Sequence, residues 1–181
     1  MDQHPGQSSG GVPMSAHFKI RTDLLADIRS DLARPHSFAF ERVGWISAGV
    51  SRIGEGTLML LAHSYHPVAD DDYINDRSVG AMMGSAAIRA ALERSYKGRT
   101  AALHVHAHEH EGKPGFSGTD NRENAKFVPD FFNVAPHVPH GAVLLSHDNM
   151  TGNIWLSRVN APMPITRFTA VGAPLWLGGP Q

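Results

Sequence analysis

Between Ala101 and Asp120 the chain reads AALHVHAHEHEGKPGFSGTD, with histidine at positions 104, 106, 108 and 110. This alternation narrows what the segment can become. Residues two apart on a strand share a face, and their immediate neighbours take the other face. A strand running to His108 therefore sets His104, His106 and His108 on one side and packs Leu103 and Val105 on the other. Two imidazoles at i, i+2 reach a single metal ion, and a carboxylate returned by the Gly/Pro loop that follows supplies a third ligand. Three N/O ligands with one open position describe a catalytic zinc site, because the open position holds the reactive water.

Composition closes off several other chemistries. The 181 residues contain no cysteine, which removes disulfides, zinc ribbons and thiol nucleophiles and leaves His, Asp and Glu as metal ligands. A net charge of -1 gives no bulk attraction to nucleic acid or to a membrane surface. No apolar run approaches the ~18 residues that span a bilayer. The N-terminus shows no basic-then-apolar export pattern, so a cytoplasmic location is expected. The length suits one domain with a full core. The compositional oddity is the 12 histidines.

Taken in order, residues 1–15 (MDQHPGQSSGGVPMS) read as a disordered tail, leaving 16–181 for the folded domain. A short strand is expected over His17–Arg21, then a helix over Asp23–Ala33 with Thr22 as its N-cap and Leu24, Leu25, Ile28 and Leu32 on its buried face. Ser37–Arg52 reads as strand, with Glu41 a lone acid among core formers. It is either a surface carboxylate paired with a base such as Arg42 or a cleft-facing general base. Gly54-Glu55-Gly56 turns this strand into a second, Thr57–His66, forming a hairpin.

His63 and His66, three apart on that strand, face opposite sides and read as structural or rim residues. The run Asp70-Asp71-Asp72 reads as a solvated loop. A helix is predicted over Ser78–Tyr96, with Val79, Met82, Met83, Ala86, Ile88 and Leu92 as core positions and Gly98 as its stop. After the histidine strand, a short helix capped near Ser117 or Asp120 runs to a break at Pro129. His137 and His140 read as surface loop residues. Gly141–His147, Gly152–Val159 and Ile165–Val171 read as strands. The fold class is thus α/β: a single domain with a mixed, mostly antiparallel sheet and flanking helices.

Glu41-x-x-Gly44 on an early strand, His106-x-His108 on a later one and Ser117-x-x-Asp120 after a loop together resemble the JAB/MPN metalloproteases, whose signature is called JAMM. The resemblance covers roughly residues 38–155. It implies a JAB/MPN-like, cytidine-deaminase-like fold and cleavage of isopeptide or peptide bonds after ubiquitin or ubiquitin-like proteins. Eight residues, Glu109 to Phe116, separate His108 from Ser117, one more than is usual for the family, and Glu109 stands where the family has proline. The pair is assigned to His106 and His108, with His104 and His106 as the alternative. The segment looks most like bacterial members encoded with ubiquitin-like conjugation enzymes, including anti-phage defence systems. E1- and E2-like proteins are then implied as partners.

Carried over to these positions, the resemblance makes His106, His108 and Asp120 the ligands of Zn2+, with water as the fourth. Glu41 would take the proton of that water and pass it to the leaving amine, and Ser117 would help stabilise the oxyanion. The chemistry is consistent. Zinc lowers the pKa of bound water from ~15.7 to ~7. A carboxylate beside the metal is then a competent base. A hydroxyl aimed at the developing oxyanion acts selectively in the transition state. Two rival readings remain. One is a scaffold or binding module of the same fold without turnover. The other is a metallohydrolase acting on a small molecule or a sulfur-carrier protein. For a protease, an extended substrate tail would add as a strand, with Val50–Leu61 the expected edge.

Overall fold

A computed structural model describes residues 15–54, 56–76, 78–172 and 176–178. In chain order the elements are β1 (Ser15–Arg21), α1 (Thr22–Leu32), β2 (Val43–Ile53), β3 (Thr57–Pro67), α2 (Ser85–Gly98), β4 (Ala101–Ala107), α3 (Gly118–Phe127), β5 (His140–Leu145), β6 (Met150–Trp155), β7 (Met163–Pro164), β8 (Arg167–Val171) and β9 (Trp176–Gly178), with short 3₁₀ turns over Asp70–Asp72 and Val128–Asn133. Among the described residues the strands form one sheet in the order β7-β6-β5-β4-β2-β3-β1-β8-β9. Pairings β1–β3, β1–β8 and β4–β5 are parallel and the other five antiparallel, so the sheet is mixed and mostly antiparallel, as expected.

The strand pleat sorts side chains to two cores. Leu103 and Val105 of β4 join Phe18, Leu60 and Ile28 in a cluster under α1. On the opposite face, Val43, Trp45 and Ala102 pack with Ala87 and Ala91 of α2 and with Phe131. Helix α1 buries Leu24, Leu25, Ile28 and Leu32, as its 3.6-residue periodicity predicts. Each such side chain contributes roughly 1.5–3 kcal/mol when taken from water. The helix begins at Thr22 itself, with Arg21 at the N-cap and no side-chain cap bond.

Several expectations need correction. The strand predicted from Ser37 starts only at Val43. The residues before it are held as a loop: His36 Nδ1 accepts the Phe38 and Ala39 amides, and the buried Arg42 guanidinium binds the Arg34 and Pro35 carbonyls and Asp70. Arg42 therefore pairs with Asp70 and not with Glu41. The helix predicted from Ser78 starts at Ser85, because backbone groups of the preceding segment bond elsewhere. The Gly80 carbonyl accepts the Phe40 and Glu41 amides, and the Met82 carbonyl accepts the Ile74 amide. The helix buries Ala87, Ala91 and Ser95, so the predicted phase through Ala86 is wrong. Its left-handed terminus falls on Arg99, one residue beyond the predicted glycine stop.

A β-bulge interrupts β3. Ser47 faces Ser64 and Ala48 faces Ala62, which leaves His63 unpaired. The bulge breaks the alternation that would have separated His63 from His66, and the Ser64 hydroxyl sits between the two rings at 3.1 and 3.2 Å. Thr57–Leu61 of β3 is paired on both sides, by β2 and by β1, so that part of the expected edge is closed; β4 ends opposite Ala48, and Val50–Ile53 of β2 pair with β3 alone. His140, expected on a surface loop, is fully buried as the first residue of β5. Strand β9 had no expectation at all. The N-terminal tail lies outside the described residues except Ser15, which opens β1. No helix is long and apolar enough to cross a membrane among the described residues.

Candidate metal centre

The C-terminal half of β4, the loop before β2 and the start of α3 meet at one place. His106 is buried on β4 and His108, partly buried, stands just past the end of that strand, with ring centroids 5.2 Å apart. Glu41 comes from the loop two residues upstream of β2. Ligand atoms of Glu41, His106 and His108 all lie within 4.8 Å of one another. Asp120 completes the group from the first turn of α3, with Oδ1 3.4 Å from His106 Nε2 and Oδ2 3.8 Å from His108 Nε2. The structure thus brings four of the predicted site residues together, and it takes His106/His108 over His104/His106 as the pair facing the carboxylates.

Local sequence explains how each carboxylate is held. Ser117 is the N-cap of α3: its hydroxyl accepts the Asp120 amide at 3.1 Å, while Asp120 Oδ2 accepts the Ser117 amide at 2.7 Å. This reciprocal capping box fixes Asp120 and leaves Oδ1 toward His106. Burial alone would raise the Asp120 carboxyl pKa. The neighbouring His106 and the Ser117 bonds outweigh burial and hold it well below the usual carboxylate range. Glu41 is held by its backbone, since its amide and that of Phe40 both donate to the Gly80 carbonyl at 3.1 and 2.9 Å. Gly80 leaves room for the side chain: a Cβ there would lie 2.7 Å from the Glu41 carboxylate carbon.

His104 sits deeper, against Trp45 and Phe127 at 5.4 and 5.1 Å. Burial, followed by the neighbouring His106, pushes its pKa down to about 3 and keeps the ring neutral. It is a wall of the site and not part of the four-residue group. His110 is exposed and its Nδ1 bonds the Glu111 carbonyl at 2.8 Å. Ser117, predicted to stabilise an oxyanion, lies at the mouth of the site with Phe40, Gly80, Thr119 and Asp120, in an opening of about 370 Å³. Its hydroxyl oxygen is engaged as the cap acceptor of the Asp120 amide, and the hydroxyl also stands against the Asp120 carboxylate.

Two further spaces meet this mouth at Glu41. An inner cavity of about 170 Å³ reaches back between Met82, Met83, Ile88 and Phe127 to His104. A groove of about 500 Å³ leaves in the other direction past His108, Ala107 and Leu145 toward Arg29 and His147. Sequence reasoning missed Gly80, whose carbonyl and open Cβ position hold Glu41 through contacts made across the fold and outside any spaced motif.

The donor set suits a metal ion. Neither ring nitrogen of His106 makes a hydrogen bond, although both are shut off from solvent. A buried polar atom left without a partner costs about 1–3 kcal/mol. An ion at Nε2 would relieve one such orphan and would also separate the imidazole from the carboxylate at ligand distance. Two imidazoles with one or two carboxylates match the nitrogen/oxygen preference of zinc.

No protein-family model matches the chain, and no curated protein does. Among solved structures, one that matches is the Trichoplax adhaerens STIL N-terminal domain, at 9% identity and a TM-score of 0.34, over 75% of this chain and 39% of that one. The chain therefore spans well under half the length of that neighbour.

Proposed function

We propose that this chain is a zinc-dependent isopeptidase or peptidase of the JAB/MPN type, with His106, His108 and Asp120 as ligands and Glu41 as general base. The observation that carries this reading is the convergence of Glu41, His106 and His108 within 4.8 Å, with Asp120 against both imidazoles. The substrate class, a ubiquitin-like protein or its conjugate, comes from the sequence resemblance. So do the E1- and E2-like partners and the link to a bacterial conjugation or anti-phage system; the cytoplasmic setting follows from the N-terminal sequence, which carries no basic-then-apolar pattern.

When bound, zinc supplies Lewis acidity, acidifying a water and drawing charge toward a carbonyl oxygen. The protein's own groups do the rest. Glu41, placed beside the imidazole pair and free of any basic partner among the described residues, is positioned to accept a proton and to return it to the leaving amine. Ser117 would turn its hydroxyl proton from Asp120 to the carbonyl oxygen as charge develops there. The walls of Trp45, Phe127 and Phe116 around His104 and His106 limit water near the reacting atoms.

The test is metal content by mass spectrometry together with cleavage of a ubiquitin-like fusion by the wild type and Glu41→Gln. We expect one zinc per chain in both proteins and a loss of turnover of at least ~10²-fold in the variant. A wild type that takes up no zinc, or a variant of undiminished rate, overturns the reading. Full zinc occupancy with no fusion cleaved would move the assignment to a hydrolase of small molecules or sulfur-carrier proteins, or to a binding module.

A further inference from the structure

The groove leaving the metal centre past His108 holds one cation whose bonding capacity is almost unspent. Arg29 projects from α1 into this space, which Leu32, Ala33, Phe40, Ala107 and Leu145 line with apolar surface. Its guanidinium has five N–H donors. Nη1 gives one to the His147 carbonyl at 2.7 Å, and Nε is buried without a partner. Among the described residues no carboxylate lies within ion-pair distance of it. The other arginine of the groove, Arg42, is consumed by Asp70 and two backbone carbonyls.

The acids nearby do not answer this charge. Asp148 acts on Arg29 only at a distance, because its carboxylate accepts from the Gly112 amide at 2.7 Å and from the Ser146 hydroxyl at 3.3 Å. Glu109 lines the groove but is exposed, and Glu41 faces the imidazoles. A partly buried guanidinium without a counter-charge has lost hydration and gained little for it. Its planar fork matches a carboxylate with two parallel bonds, which a simple point charge cannot do. A groove of about 500 Å³ also falls within the range that encloses a short peptide-sized ligand.

We infer that Arg29 forms a carboxylate-recognition subsite in the groove that Glu41 and His108 also line, so that the site selects peptides carrying a carboxylate on one side of the cleaved bond. This rests on the hydrolase reading only in taking Glu41 and His108 as the reacting end. It adds a specificity-determining residue to that reading.

The experiment reads binding without turnover. N-acetyl-tri-alanine with a free carboxylate and the same peptide as its amide are titrated into the zinc-loaded wild type, Arg29→Gln and Arg29→Lys, with chemical shifts as the readout. We expect the acid to bind at least about tenfold more tightly than the amide to the wild type, a value within the range for a charge-assisted bond. That ratio should fall to near one in Arg29→Gln and stay intermediate in Arg29→Lys. A third peptide, N-acetyl-Ala-Ala-Glu amide, separates sources: an Arg29-dependent gain there supports the subsite and places the carboxylate on a side chain. Equal binding of acid and amide by the wild type, or a preference that Arg29→Gln leaves unchanged, would sink the proposal. The latter result would mean that the acid binds at the metal. The wild-type acid/amide comparison and Arg29→Lys decide the matter even if Arg29→Gln folds poorly. Absence of cleavage in any of these proteins would count against the isopeptidase reading and leave the subsite standing.

Discussion

His106 and His140 are both buried, on the adjacent strands β4 and β5, and their surroundings treat them in opposite ways. His140 has every bond it can make. Its Nδ1 accepts the Ala102 amide at 3.1 Å, its Nε2 donates to the Ala135 carbonyl at 2.9 Å, and Phe131 and Phe132 close over the ring. His106 has no hydrogen bond at either nitrogen and faces a carboxylate 3.4 Å away. A satisfied histidine is finished as a structural element. An unbonded one beside carboxylates keeps its donor atoms available for an ion. Bonding state divides these two rings where burial does not, and the carboxylate beside His106 is what sets it apart from His104, whose ring nitrogens are also unbonded.

The largest effect that could break this contrast is loss of the ion. His106→Ala is expected to abolish zinc binding and cleavage together. Chelation of the wild type should lower its melting temperature, since a ligand at a thousand times its Kd contributes about 4 kcal/mol. The variant should melt at the same temperature with and without chelator. A wild type whose melting ignores chelation, or a His106→Ala protein that still holds zinc, would make His106 no different from His140.

The second test starts from His140. Burial depresses its pKa to about 4 against an ordinary 6.5, partly offset by the bond to Ala135. The unfolded chain therefore binds this proton first. The stability that neutral His140 provides is complete above pH 6.5 and is lost as pH falls toward 4, about 3 kcal/mol in all. His104, kept neutral to still lower pH, works in the same window, so the wild type should lose somewhat more. Denaturant unfolding between pH 7.5 and 4 measures the slope. His140→Gln should be less stable at pH 7.5 and flatter with pH; an unchanged slope would show that the ring is not the buried base its bonds imply.

Much of this was legible before any coordinates. The i, i+2 histidines placed themselves on one strand face because Leu103 and Val105 needed the other, and Ser117-x-x-Asp120 announced a helix cap that also sets the Asp120 carboxylate against both imidazoles. Glu41 was identified as an anomaly among apolar residues, but its position on a loop was not, since Phe38 and Phe40 imitate strand alternation. What fixes that loop is Arg42 reaching Asp70 and Gly80 accepting two amides, contacts between segments about 28 and 40 residues apart, and neither leaves a local pattern. His140 was misread for the same reason: Pro136 and Pro139 signal a loop, while the Phe131/Phe132 cover comes from tertiary packing. The helix predicted over 78–84 failed because its backbone groups bond to the Glu41 loop and to Ile74, which outweighs an Ala- and Met-rich composition.

A smaller perturbation asks whether Glu41 needs its fixed placement. Gly80→Ala puts a methyl 2.7 Å from the Glu41 carboxylate, whose far end can swing aside, so the fold should survive. The expected result is unchanged zinc content and a fall in turnover of about 10- to 100-fold, the scale of an ångström-sized misplacement. Undiminished turnover would return Glu41 to the status of an ordinary surface acid.

The smallest effect divides the two roles of Ser117. As the N-cap of α3 its hydroxyl oxygen satisfies the Asp120 amide, and in the proposed reaction the same hydroxyl would turn its proton toward the oxyanion. Ser117→Ala should cost about 1 kcal/mol of stability through the cap, whereas Ser117→Gly should cost only a few tenths, because glycine is tolerated at an N-cap. Both variants lack the hydroxyl. If the hydroxyl stabilises the oxyanion, turnover falls by a similar factor in both, whatever their stabilities. If turnover instead follows stability, low in alanine and near normal in glycine, then Ser117 serves only to hold Asp120. The site would then resemble the His140 environment at this one position, where a polar group's bonding is complete within the fold.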